Sequence, residues 1–249
     1  GRLTGKRALM TGAGGLLGGD LARGFAAEGA DLVLTTRTAA KLEPLVQEVR
    51  GLGVRAVGVA CDFTDDAAID LLAEAAWQTF GGIEVVLLSG QPPECNLGAI
   101  LDCPDEAFKQ QMQALAWGPL RLMRALAPRM IAAGGGSVIT VVSSTGFDPV
   151  PGYGAYGLAK GALWLLTRYM AAEWGHGGIR VNAFTPGLVA TAGNGEQLTE
   201  TMRGNGMLAR TALGRMGSNA ECLGIAVHLA SDESSFTSGQ RIHVDGGRY

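Results

Sequence analysis

Cysteine and histidine are scarce, at 4 and 3 of 249 residues. Cys61, Cys95, Cys103 and Cys222 form no CxxC pair, which argues against a structural zinc site and a disulfide framework. We expect no metal and a reducing, cytoplasmic setting. Positive charge is also short. Twenty Lys and Arg against 23 Asp and Glu leave a net charge of −3, so there is no basic surface to displace counterions from nucleic acid. No apolar run approaches the ~18 residues of a membrane span, and none is expected. The opening residues GRLTGKRALMTG run into patterned sequence without an apolar signal core, and the initial glycine suggests a trimmed start. Charged residues are only 17% against 47% hydrophobic, too rich in core material for a disordered chain.

Glycine is abundant, at 39 residues, but without the three-residue period of collagen. Between glycine turns, short apolar runs alternate with helical patterns. Arg7–Met10, Asp31–Thr35, Val54–Ala60, Val85–Leu88, Val138–Val142, Ile179–Phe184 and Arg241–Val244 read as strands. Helices are predicted after Gly15, around Leu42–Val49 and Ile69–Phe80, and over Asp105–Ala132, Ala155–Glu173 and Asn219–Ala230. Pro119 lies inside the long fourth helix and is expected to bend or split it, because its ring displaces a backbone hydrogen bond. This alternation specifies an α/β fold, a parallel sheet covered by helices on both faces. With no linker or composition break, one domain over 1–249 is expected. A closed eight-fold barrel is the rival architecture. The glycine cluster directly after the first strand favours an open, doubly wound sheet.

That cluster is Thr11-Gly12-Ala13-Gly14-Gly15-Leu16-Leu17-Gly18. Between a first strand and a first helix, such glycines let the backbone turn sharply and approach a pyrophosphate at the helix N-terminus. The alternative is an ordinary tight turn. Strand two ends in Thr35-Thr36-Arg37, with no acidic residue to pair with the 2′-hydroxyl of an NAD ribose. Arg37 offers a partner for the 2′-phosphate of NADP, or is simply a solvated surface residue. Asp62, after strand three, is either an acceptor for an adenine amino group or a cap or turn residue.

The most informative segment is Ser143 followed by Tyr156-Gly157-Leu158-Ala159-Lys160. Tyr156 and Lys160 are four apart on a predicted helix and share one face. A phenol ordinarily titrates near ~10, and an adjacent ammonium favours its phenolate. Ser143 follows a strand end, where open α/β sheets place their sites.

With these residues the chain resembles the short-chain dehydrogenase/reductase family in its single-domain form, from about Arg2 to Gly247. The markers are the Thr11–Gly18 turn, Asp62, Ser143, Tyr156, Lys160, Ile179-Arg180-Val181-Asn182, Pro186-Gly187, Thr191 and Val244-Asp245-Gly246-Gly247. The resemblance implies a Rossmann-type three-layer α/β/α sandwich. It implies hydride exchange between nicotinamide and a carbonyl or secondary alcohol, with the Tyr156 phenol trading a proton with the substrate oxygen. Lys160 would bond the nicotinamide ribose and lower the Tyr156 pKa, while Ser143 positions substrate. The nucleotide, NADP(H) in preference to NAD(H), would meet Gly12, Gly14, Gly15, Leu16, Leu17, Arg37, Asp62, Phe63, Ser89, Gly90, Tyr156, Lys160, Pro186, Gly187, Val189 and Thr191. A lid over about 190–217 would close on a small, mainly apolar substrate. Pocket candidates are Gln91, Pro92, Phe147, Val150, Tyr153, Leu188, Met202 and Met207. Family members are commonly homotetramers, so a homotetramer or dimer is expected.

Three positions depart from the family pattern. Leu16 replaces the second turn glycine and is expected to crowd the nucleotide or shift the turn. Leu88-Ser89-Gly90-Gln91 replaces Asn-Asn-Ala-Gly. Leu115 replaces the long-helix Asn that helps hold a water beside the lysine, although core packing explains a leucine there equally. These departures motivate a non-catalytic nucleotide-binding scaffold as an alternative. A 3-oxoacyl thioester reductase is a second alternative. Its acidic carrier would need a basic rim, for which Arg121, Arg124 and Arg129 are the candidates.

Overall fold

The computed structural model describes residues 1–92, 94–190, 199, 200, 203, 204 and 206–248. Its centre is a seven-stranded, all-parallel sheet built from β1 (Arg7–Met10), β2 (Asp31–Thr36), β3 (Ala56–Ala60), β4 (Val85–Leu88), β5 (Gly136–Val141), β6 (Ile179–Pro186) and β7 (Arg241–Val244). The spatial order is β3-β2-β1-β4-β5-β6-β7. Strands β1, β2 and β4 contribute runs such as Ala8-Leu9-Met10, Leu32-Val33-Leu34 and Val85-Val86-Leu87-Leu88 that are buried throughout. Such runs suit strands with helices on both faces.

Helices α1 (Leu16–Ala27), α2 (Leu42–Arg50) and α7 (Asn219–Ala230) cover one face. Their Leu21, Phe25, Leu45, Val49 and Val227 enclose one core with Met10, Leu34 and Phe184. Helices α3 (Asp66–Phe80), α5 (Gly118–Ala132) and α6 (Gly154–Trp174) cover the other. There Ile69, Leu72, Leu122, Leu126 and Met170 meet Leu9, Val33, Val86 and Val181. The open, doubly wound reading is therefore correct, and the closed barrel is excluded by two sheet edges at β3 and β7. Helices α1 and α7 touch closely, since a Cβ on Gly24 would stand 2.2 Å from Leu223 Cδ1.

Because the order turns at β1, with β2 on one side and β4 on the other, the loops after these strands diverge and leave a crevice at their C-terminal ends. The expected long helix divides as α4 (Asp105–Met112), a π-helical turn (Gln113–Trp117) and α5. Pro119 is the physical reason. It has no N–H for the carbonyl of Leu115, so the turn before it widens. Pro128, a second proline, stays inside α5 on the exposed side. Other differences are at ends: β3 begins at Ala56 rather than Val54, β5 two residues early, and β6 continues to Pro186. Among the described residues no helix is long and apolar enough to cross a membrane.

Candidate active site

The glycine turn joins β1 to α1 as predicted, and Gly12 has φ +69°. A Cβ on Gly12 would lie 2.2 Å from the Ser89 carbonyl oxygen, and one on Gly18 would lie 2.2 Å from the Gly12 carbonyl oxygen. The backbone here is packed on backbone. Thr11 closes it further: its hydroxyl donates to Ser89 O at 2.8 Å and accepts from Ser89 N at 2.9 Å. Gly14 lies against Thr36 at the end of β2. Helix α1 starts at Leu16 with Gly15 as an extended N-cap that offers no side-chain acceptor. Its first intrahelical bond runs from Gly19 N to Gly15 O, so the amides of Leu16, Leu17 and Gly18 receive no helical partner. They form the positive end of the helix dipole, which suits a nucleotide pyrophosphate. The Leu16 side chain stands 57% exposed.

The other predicted residues gather at the same ends of the sheet. Arg37 follows β2, exposed and without an ion pair among the described contacts. Asp62 and Phe63 follow β3. Asp62 is no helix cap: its Oδ1 accepts from Thr64 N at 2.9 Å and Thr64 Oγ1 at 2.8 Å, while Asp65 caps α3 through Ala67 N and Ala68 N. Ser89 and Gly90 follow β4. Pro186 ends β6, and Gly187, Leu188 and Val189 continue from it, with Gly187 N donating to Val244 O at 2.9 Å. A Cβ on Gly187 would stand 2.5 Å from Asp245 Cα. Thr191 and Met202 fall outside the described residues.

Ser143 follows β5, and Tyr156 projects from α6 near enough for the serine hydroxyl to influence the phenol. The Ser143 Oγ meets Thr145 Oγ1 at 2.9 Å and accepts from Thr145 N at 3.3 Å. Lys160 is buried and spans the gap between two strands, donating to Gly90 O at 2.9 Å and Val141 O at 2.8 Å. Its Nζ lies 5.7 Å from the Tyr156 ring centre. Burial pulls the Lys160 ammonium down to about 8. Burial also pushes the Tyr156 phenol up to about 12, with the nearby Cys95 acting in the same direction and Ser143 opposing. The phenol therefore stands above its ordinary value rather than below it, because desolvation is the largest cause for both groups.

Of the pocket candidates, Gln91, Val150, Tyr153, Leu188 and Met207 are not fully buried. Phe147 is committed to packing instead. It meets Trp164 edge-on at 6.3 Å, and Arg241 lies 3.3 Å over its ring. Two participants had escaped notice. Cys95, held by Gln91 Nε2 at 3.5 Å, is close enough to Lys160 and Tyr156 to act on both electrostatically. Thr145 extends the Ser143 hydroxyl. Neither carries a sequence signal, since each is placed by loop geometry. The Arg residues proposed as a carrier rim are mostly neutralised: Arg121 pairs with Asp66 and Asp70, and Arg129 with Glu74.

A family model described as "Enoyl-(Acyl carrier protein) reductase" matches residues 13–248. Human "Dehydrogenase/reductase SDR family member 4" is 30% identical over 245 residues, covering 98% of this chain and 88% of the relative. The chain belongs to the short-chain dehydrogenase/reductase family. An NAD+-bound xylitol dehydrogenase superimposes with a TM-score of 0.92 at 27% identity, covering 99% of this chain and 100% of that one. L-Sorbose reductase from Gluconobacter frateurii, solved with NADPH and L-sorbose, gives 0.90 at 29% identity, covering 99% and 97%. The chain is accordingly an oxidoreductase whose structural relatives use nicotinamide nucleotides and small-molecule substrates.

Proposed function

We propose that this short-chain dehydrogenase/reductase is an NADP(H)-preferring carbonyl reductase, acting on a small, mainly apolar ketone or the matching secondary alcohol. The observation that carries the reading is the meeting of Ser143, Tyr156 and Lys160 beside the glycine turn, at the C-terminal ends of β1, β4 and β5. When bound, the nicotinamide supplies or accepts the hydride. Ser143 orients the substrate oxygen, and Tyr156 delivers or removes its proton. A phenol held near 12 is protonated at neutral pH, which suits an acid acting in carbonyl reduction. Lys160 fixes positive charge under the site and has one N–H remaining for the ribose. Gly12, Gly14, Gly15, Leu16 and Leu17 would hold the pyrophosphate, Asp62 and Phe63 the adenine, and Ser89, Gly90, Pro186, Gly187, Val189 and Thr191 the nicotinamide half. The free guanidinium of Arg37 supports the NADP preference. One domain with a lid over about 190–217, a cytoplasmic location and a homotetramer complete the reading.

The description of the matching family model favours a thioester substrate as the second reading. The ion pairs of Arg121 and Arg129 weigh against it, because an acidic carrier would find them already neutralised. One assay addresses both. NADPH or NADH is offered with simple ketones, cyclic ketones and a 3-oxoacyl thioester, and nicotinamide absorbance is followed. NADPH oxidation with a ketone is expected. Tyr156→Phe should lower turnover at least about a hundredfold, with nucleotide affinity largely kept. Near-full activity of that variant would remove the proton-transfer assignment, and absence of any turnover would leave the nucleotide-binding scaffold.

A further inference from the structure

Resting on the reductase reading above, we propose that the ketone it accepts also carries a carboxylate. Arg248, bonded to the residue after Ser143, is the specificity-determining residue that holds it. The substrate class is then oxo acids and the matching hydroxy acids.

Two arginines reach the loop that begins at Ser143. Arg248 Nη1 donates to Ser144 Oγ at 3.3 Å. Arg241, on β7, lies 3.3 Å over the centre of the Phe147 ring. Neither guanidinium pairs with a carboxylate among the described residues. The acidic groups close by do not answer them. Asp245 is taken by His243 Nδ1 at 3.1 Å and by the main-chain amides of Gly247 and Arg248 at 3.0 and 3.4 Å. Asp148, next to Phe147, is exposed and forms no ion pair among the described contacts. A guanidinium carries its N–H donors in a planar fork that matches a carboxylate. One bond to a neutral hydroxyl leaves most of the Arg248 fork uncommitted.

This corner of the molecule is also short of acceptors. Five buried side-chain polar atoms lack a hydrogen-bond partner among the described residues, and three belong here: Thr185 Oγ1, Thr211 Oγ1 and Arg241 Nη1. Thr211 is 6% exposed and is bridged to Arg248 through the main chain. Thr185 is fully buried and lies opposite His243, where β6 pairs with β7. Each of the three atoms can donate, whereas a carboxylate only accepts. Buried polar atoms are seldom left unpaired, so donors gathered beside two unopposed cations mark a place for an anion. The spacing fits the reaction. Ser143 directly precedes Ser144, and consecutive Cα atoms stand about 3.8 Å apart. A carboxylate on Arg248 is then a short carbon chain away from a carbonyl oxygen held by Ser143, and that chain is free to be apolar.

The test compares 4-oxopentanoate, 5-oxohexanoate and 6-oxoheptanoate with their methyl esters, using the full chain and NADPH. At least one acid should be reduced with kcat/KM about tenfold or more above its ester. Raising the salt concentration should narrow that gap. Arg248→Gln should lower the acid-to-ester ratio at least about tenfold, mostly through KM, and Arg248→Lys should restore part of it. A merely structural role for Arg248 would lower acid and ester together and leave the ratio unmoved. Esters reduced as well as acids, or an unchanged ratio in Arg248→Gln, overturns the subsite and leaves the reductase reading standing. Calorimetry of the same compounds in excess NADP+ reads binding without turnover. There the acid should bind more tightly than its ester to wild type, and lose that advantage in Arg248→Gln. Equal binding of acid and ester overturns the subsite. A chain that reduces none of the ketones fails the reductase reading instead, and the calorimetry still decides whether Arg248 holds a carboxylate.

Discussion

Lys160 Nζ stands 5.7 Å from the centre of the Tyr156 ring, one turn along the same helix. This distance is within the range of a cation–π attraction, worth about 0.5–2 kcal/mol. Burial is the larger effect on each residue: the ammonium is held down to about 8 and the phenol up to about 12. Near neutral pH the site therefore combines a charged lysine with a protonated tyrosine, the pair of states that carbonyl reduction requires.

These shifts have a sign in stability. Lysine in the unfolded chain titrates near 10.5 and in the folded chain near 8. Between those values the unfolded state binds a proton that the folded state lacks, so the Lys160 contribution to stability rises with pH. The Tyr156 shift acts oppositely, but only above its unfolded value of 10. Urea unfolding of wild type and Lys160→Met is the measurement. From neutrality to about pH 9.5 the wild type should gain about 2 kcal/mol relative to the variant. Parallel pH profiles would show that the lysine is not desolvated.

How much of this was legible beforehand depends on the range over which each feature is set. The strands announced themselves because β1, β2 and β4 are continuous apolar runs, and a parallel sheet buried on both faces needs nothing else. Tyr156 and Lys160 were legible because helical spacing alone places them together. The partners of Lys160 were not. Gly90 and Val141 are 70 and 19 residues away, and only the strand order makes them neighbours. Pro119 marked a break in the long helix, but not that the break would be a π-turn centred on Leu115. The balance of pKa effects at Tyr156 was misjudged for a related reason. The sequence exposes the charge pair but not the depth of its burial.

Arg37 has no competing ion pair among the described contacts and stands in solvent just after β2. A guanidinium in that position gains a charge-assisted bond only when a 2′-phosphate is present. Arg37→Ala should weaken NADPH binding at least about tenfold while changing NADH by less than about threefold. Calorimetric titration of both nucleotides gives the answer, and equal losses would remove the case for an NADP preference.

Gly18 tests whether the glycine turn is fixed by backbone contact. A Cβ there would sit 2.2 Å from the Gly12 carbonyl oxygen, and main chain has no rotamer with which to yield. Gly18→Ala should destabilise the fold by about 1–3 kcal/mol and weaken both nucleotides together, since the shifted turn would misplace the α1 amides. Gly175→Ala is the control, with nothing within 4 Å of the added atom. If thermal melts and nucleotide titrations place the two variants side by side, the turn is more pliable than its contacts imply.

Helix α6 carries a consequence for assembly. Leu158, Leu165 and Tyr169 are 51%, 56% and 59% exposed, and their spacings of seven and four residues put them on one outward stripe. A lone exposed leucine needs no explanation, but an aligned row on the helix that also holds Tyr156 and Lys160 marks a surface suited to a second copy of the chain. Placing a charge in the middle of such a face leaves it unpaired when the copies meet. For the proposed homo-oligomer, Leu165→Asp should therefore shift sedimentation toward monomer with little change in secondary structure by circular dichroism. Wild-type protein that sediments as a monomer at micromolar concentration would assign the stripe no role in self-association.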